Sequence, residues 1–204
     1  MKRTPTSESL RNASKPNVSL ALVPLGILLN LGFGTIIHLL KLPVFLDAIG
    51  TVLVTLLIGW RWGAVTGVLS FLIGGLLVNP VMPWFIGTQI VIAAAVGALA
   101  RKGGFNSIPR VIGSGILVGV AAGIASAPVI IFLFGGITGS GSGFLTAFLL
   151  ASGKKIAESV ILTGISCEPI DKTLQCLLAY WLVRTLPPRI RSRLVTVDSI
   201  NRIS

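Results

Sequence analysis

The sequence predicts an all-α fold: a polytopic membrane protein with six transmembrane helices in one bundle. Three observations predict it. Of 204 residues, 53% are hydrophobic and only 11% charged, with a mean hydropathy of +0.92, too little charge to keep a soluble domain dissolved. Residues 62–100 and 111–153 contain no Asp, Glu, Lys or Arg, and each stretch exceeds the roughly 20 apolar residues that cross a bilayer. The basic residues gather at the ends of apolar segments and in the two tails. That placement assigns the net charge of +11 to the cytoplasmic loops of a protein in a lipid bilayer, and not to nucleic-acid binding.

Residues 1–19 read as a polar cytoplasmic tail. The apolar run from about 18 to 40 is too long for a cleaved leader and lacks an obvious small-residue cleavage site, so 20–40 is the first crossing. Lys41 and Pro43 end it. The second, about 46–60, is short and stops at Trp60-Arg61-Trp62, an aromatic–basic anchor. The third, 63–78, is rich in glycine and ends at Asn79-Pro80-Val81-Met82-Pro83, where two prolines break any helix. The fourth, 84–100, closes on Arg101, Lys102, Gly103 and Gly104, and the fifth spans about 111–134. A Gly/Ser/Thr-rich loop, 135–143, leads to a short apolar segment at 144–152. The sixth crossing runs from about 157 to 186, completing a membrane domain at 20–186, and 187–204 is a basic cytoplasmic tail.

Orientation follows from alternate loops. With the N-terminus inside, Lys2, Arg3, Arg11, Lys15, Arg61, Arg101, Lys102, Arg110, Arg184, Arg189, Arg191, Arg193 and Arg202 are cytoplasmic, against Lys41, Lys154 and Lys155 on the other side. This predicts a multi-pass plasma-membrane protein with both termini cytoplasmic and the loops at 41–47, 79–83 and 135–156 outside. Gly115, Gly119, Gly123 and Ala127 form a small-residue face on the fifth crossing, a surface for close helix packing.

The sixth helix carries the main candidates. Glu168, Asp171, Lys172 and Gln175 share one broad face at i, i+3, i+4 and i+7. Each charge near the bilayer centre costs about 2.5–3.5 kcal/mol on insertion scales, and such residues mark functional sites. Glu168 and Lys172 neutralise each other at i, i+4, which leaves Asp171 over. Pro169 removes a helical donor, as in helices that line cavities. Asn79, Trp84 and Gln89 flank the proline-rich outer turn; Trp84 also suits an interfacial anchor, while Gln89 needs a polar partner. Asp47 is read as the cap of the second helix, and His38 as packing the outer end of the first. The 135–143 loop is either a lid over a cavity or an undistinguished glycine-rich turn. Cys167 and Cys176, about 13 Å apart on one helix, are too distant to bridge and read as buried space-fillers.

Several classes drop out on inventory. One histidine without a Cys or acidic cluster makes no metal site. The chain lacks a G-x-S-x-G serine, paired zinc histidines and paired intramembrane aspartates on separate helices, so it is not read as an enzyme. Gly153-Lys154-Lys155 fails as a phosphate loop, and no cofactor is implied. No repeated filter segment suggests a channel.

Residues 42–105, LPVFLDAIGTVLVTLLIGWRWGAVTGVLSFLIGGLLVNPVMPWFIGTQIVIAAAVGALARKGGF, resemble the substrate-specific (S) components of energy-coupling factor (ECF) transporters. FGGITGSGSGFLTAFLLASG (134–153) and EPIDKTLQCLLAYWLVRTLP (168–187) extend the likeness. The resemblance implies a six-helix subunit that binds a vitamin or similar micronutrient near the outer surface. It implies as partners a transmembrane coupling protein and two ATPase subunits. Substrate contacts would come from helices four to six and the outer loops, hence from Lys172, Asp171, Glu168, Gln175, Gln89, Asn79 and Trp84. The coupling protein would meet small residues on helix one, where Gly26, Asn30 and Gly34 stand in place of the family's usual Ala-x-x-x-Ala. Lys172 and Asp171 together favour a substrate with donor and acceptor edges, such as a nitrogen heterocycle. The rival reading is a membrane sensor or interaction module that binds a small signal without transporting it.

Overall fold

The computed structural model describes residues 15–187. Among these the chain is all-helical: α1 (Lys15–Leu40), α2 (Ile49–Ile58), α3 (Trp60–Leu77), a single 3-10 turn (Met82–Phe85), α4 (Ile86–Arg101), α5 (Ile108–Phe134), α6 (Gly141–Ala151) and α7 (Ile156–Thr185). The first helix starts at Lys15, inside what the sequence suggests is a polar tail. Residues 1–14 of the expected N-terminal tail (1–19) and 188–204 of the expected C-terminal tail (187–204) lie outside the described residues.

Local chemistry accounts for most boundaries. Gly59, at φ 98°, is the one residue joining α2 to α3; a side chain there would be strained. Pro83 opens the 3-10 turn and Pro109 the first turn of α5, where a missing N–H is harmless. Gly135 ends α5 in the left-handed region. Ser140 caps α6, its hydroxyl accepting from the Gly143 N–H.

Four segments are long and apolar enough to cross a membrane: Ala21–Leu40, Trp60–Leu77, Met82–Arg101 and Ile108–Phe134. Length and composition therefore carry four crossings, not the six expected. The expected second crossing begins with non-helical chain, and α2 is only 10 residues, about 15 Å. Its residues Ile49–Leu57 are all buried, so it is a core helix walled by α1, α3, α4 and α7. The 30 residues of α7 reach about 45 Å, but every 18-residue stretch of it includes Glu168, Asp171 and Lys172.

Glycines allow two close helix approaches. A Cβ on Gly50 would strike the Gly26 carbonyl, so α1 and α2 cross backbone to backbone. The face Gly115, Gly119, Gly123 seats α7: Gly115 lies against Thr173 and Gly119 against Pro169 and the Glu168 carbonyl. Between them a core of Val52, Leu56, Ile92, Val96, Val118 and Cys176 closes the bundle. Both cysteines are free and buried.

Candidate functional site

The site begins with a backbone problem. Between α1 and α2 the chain runs without helix from 41 to 48, half-buried over 44–47 and buried at Ala48. Buried N–H groups need acceptors, and here side chains from other helices supply them. Asp171 Oδ1 accepts from both Phe45 and Leu46, each at 2.9 Å. Gln175 Oε1 accepts from Ala48 at 3.0 Å. Asn30 Oδ1 takes the N–H groups of Gly50 (2.7 Å) and Thr51 (3.3 Å), capping α2 from a neighbouring helix. The Asn30 amide donates onward to Thr51 and Ser70 hydroxyls, both at 3.0 Å, and Thr51 donates to Gln89 at 2.8 Å. Leu46 is held at φ 49°, a left-handed conformation that a bulky residue adopts only when its surroundings enforce it.

Tethering this segment brings Asp47 to α7. The ammonium of Lys172 donates to Asp171 Oδ2, which also accepts from Gln175 at 2.7 Å. Glu168 Oε2 is 3.5 Å and Asp47 Oδ1 3.6 Å from the same nitrogen, at or just past hydrogen-bonding reach. Neither oxygen has a hydrogen-bond partner, although both are buried. Lys172 also lies 5.5 Å from the centroid of the Phe45 ring.

Glu168, Lys172 and Asp47 form part of the wall of a cavity of about 130 Å³. Its other walls come from the C-terminal part of α1, the 78–85 turn, the start of α4, the last third of α5 and the 138–141 loop. All these surfaces belong to one end of the bundle. The opposite ends of α3, α4, α5 and α7 carry Arg61, Arg101, Arg110 and Arg184.

Of the residues singled out from sequence, Lys172, Glu168, Gln89 and Asn79 line this cavity. Asp171 and Gln175 are fully buried behind it and hold the 45–48 segment instead. Trp84 is 58% exposed and does not line it. Gly26, Asn30 and Gly34, expected to meet a partner, face inward: Gly26 onto α2, Asn30 into the polar network, Gly34 against Asp47. Gly26 is taken up by the chain's own packing, while Asn30 and Gly34 also line the cavity. Asp47 does not cap α2; Ala48 holds the cap position, and the side chain that caps the helix is Asn30 from α1. His38 and Thr88 also line the cavity.

The sequence-based reading missed Asp47 and Asn30 as parts of this site. The signal for Asp47 was its position: among the described residues it is the one acidic side chain not on α7. For Asn30 it was an amide in the middle of an apolar helix, which requires a polar partner across the bundle.

No family model, curated protein or solved structure matches this chain.

Proposed function

We propose that this chain is the membrane-embedded substrate-binding subunit of an ECF-type importer, capturing a small polar micronutrient from outside the plasma membrane. The observation that carries the reading is the cavity whose wall holds a buried ammonium and two carboxylates beside it, inside an apolar bundle. Ionisable groups held at membrane depth mark ligand or ion sites. About 130 Å³ is the scale of cavity that admits a benzene-sized molecule. Transport energy would come from a transmembrane coupling protein and two ATPase subunits; with Gly26, Asn30 and Gly34 facing inward, their docking surface is made by other residues.

The same reading includes six crossings. The second would be composite: the non-helical chain over 43–48, turned at Leu46 by a φ of 49°, followed by the roughly 15 Å of α2, both set within the ~30 Å hydrocarbon core. Non-helical backbone survives at that depth only when buried in protein, the condition that Asp171, Gln175 and Asn30 supply. The basic ends of α3, α4, α5 and α7 would then be cytoplasmic, with both termini, and the cavity would open outward.

The test is ligand release. Wild-type protein purified in mild detergent is denatured and its released small molecules compared by mass spectrometry with those from Lys172→Ala, after checking that the variant inserts. A compound released only by the wild type supports the reading. Co-purification with co-expressed coupling protein and ATPases separates an importer subunit from a sensor, which would bind its signal without them.

A further inference from the structure

The walls of the cavity are not charge-balanced. Three carboxylates, Asp47, Glu168 and Asp171, surround the single ammonium of Lys172, leaving two formal negative charges in excess. Asp171 is satisfied: its oxygens accept from two backbone N–H groups, Gln175 and Lys172. The excess therefore resides on Asp47 and Glu168, which line the cavity; their Oδ1 and Oε2 are buried against the Lys172 ammonium, 3.6 and 3.5 Å away, and make no hydrogen bond. Glu168 is 8% exposed. A third, uncharged orphan lies on the same wall: Thr88 Oγ1, on a residue 8% exposed, has no partner. Buried polar atoms left without hydrogen bonds are costly: the two carboxylate oxygens lack donors, and the Thr88 hydroxyl lacks both a donor and an acceptor. The rest of the wall is apolar and aromatic, with Phe45, Phe71 and Phe85 among it, and aromatic faces attract organic cations.

We infer that the cavity takes a small organic cation, an ammonium or amidinium head on a compact apolar or aromatic body, its N–H donors directed to Glu168, Asp47 and Thr88. This rests on the substrate-binding reading above and narrows its substrate class. A bare metal ion does not fit: among the described residues no three His, Cys, Asp or Glu side chains gather as ligands, and the Lys172 ammonium stands within 3.6 Å of both free carboxylates. An anion does not fit either. Lys172 is already engaged by Asp171, and an anion would meet the two uncompensated carboxylates.

The experiment uses three probes of one shape and different charge: benzamidinium, benzamide and benzoate. Each is titrated calorimetrically into the full chain in lipid nanodiscs at neutral pH. Benzamidinium is expected to bind about tenfold or more tightly than benzamide, the effect of one charged hydrogen bond, and benzoate most weakly. Glu168→Gln should shrink the benzamidinium-to-benzamide ratio about tenfold; Asp47→Asn, in a loop, serves if that variant does not fold. Equal or tighter binding of benzamide or benzoate by the wild type overturns the inference, as does failure of all three to bind. The release experiment then judges the broader reading separately. A neutral or anionic compound released from the wild type keeps substrate binding and removes only the cation; no released compound removes both.

Discussion

At the scale of single residues, the polar side chains of this protein divide into those that hold backbone and those that face the cavity. Asn30 belongs to the first group, with four hydrogen bonds joining α1 to α2 and α3. Asn30→Ala would strand the Gly50 and Thr51 N–H groups at about 1–3 kcal/mol each, so we expect a loss of about 3 kcal/mol, measured by unfolding in detergent. Asp171 also holds backbone. Asp171→Ala should sharply raise amide exchange at Phe45 and Leu46, read by mass spectrometry, whereas Thr88→Val should leave it unchanged. The sequence marked Asp171 as important through its burial cost, but not its role. That role depends on partners 125 and 126 positions away, and no local pattern reports contacts of that span. Lys172 and Glu168 were legible because their i, i+4 spacing is itself local.

At the scale of elements, legibility followed the same rule. The bounds of α3, α4 and α5 were readable to within a few residues because glycine, proline and basic punctuation act on adjacent chain. The expected second crossing was not, since an apolar run entering as non-helical chain has the composition of a helix. Packing at this scale is set by where backbones touch, and α5 provides its own control. Gly119 lies against the α7 backbone, while Gly113 has open space around it. Gly119→Ala should destabilise the protein by about 1–3 kcal/mol through overpacking. Gly113→Ala should be neutral or stabilising by up to about 1 kcal/mol, from helix propensity. Paired melting curves in one detergent measure both, and equal effects would contradict the packing described for α5 and α7.

At the scale of the whole molecule, basic residues at one end and the cavity at the other make orientation testable. Ser152→Cys, after α6, and Ser107→Cys, before α5, are both exposed and lie toward opposite ends. In intact cells an impermeant maleimide should label the first and not the second, against a low background from the buried Cys167 and Cys176; the reverse pattern would invert the proposed topology. The tethered 45–48 segment has a further consequence, for synthesis. The ribosome makes it early, yet Asp171 and Gln175, which complete its hydrogen bonds, lie on the last described helix. Long-range closures of this kind are slow and leave surfaces exposed until they form. The nascent protein is therefore expected to carry an open seam between α1 and α2 until the arrival of α7 seals it. A chain truncated before Glu168 should remain cleavable at 44–48 by added protease, while the full chain resists there.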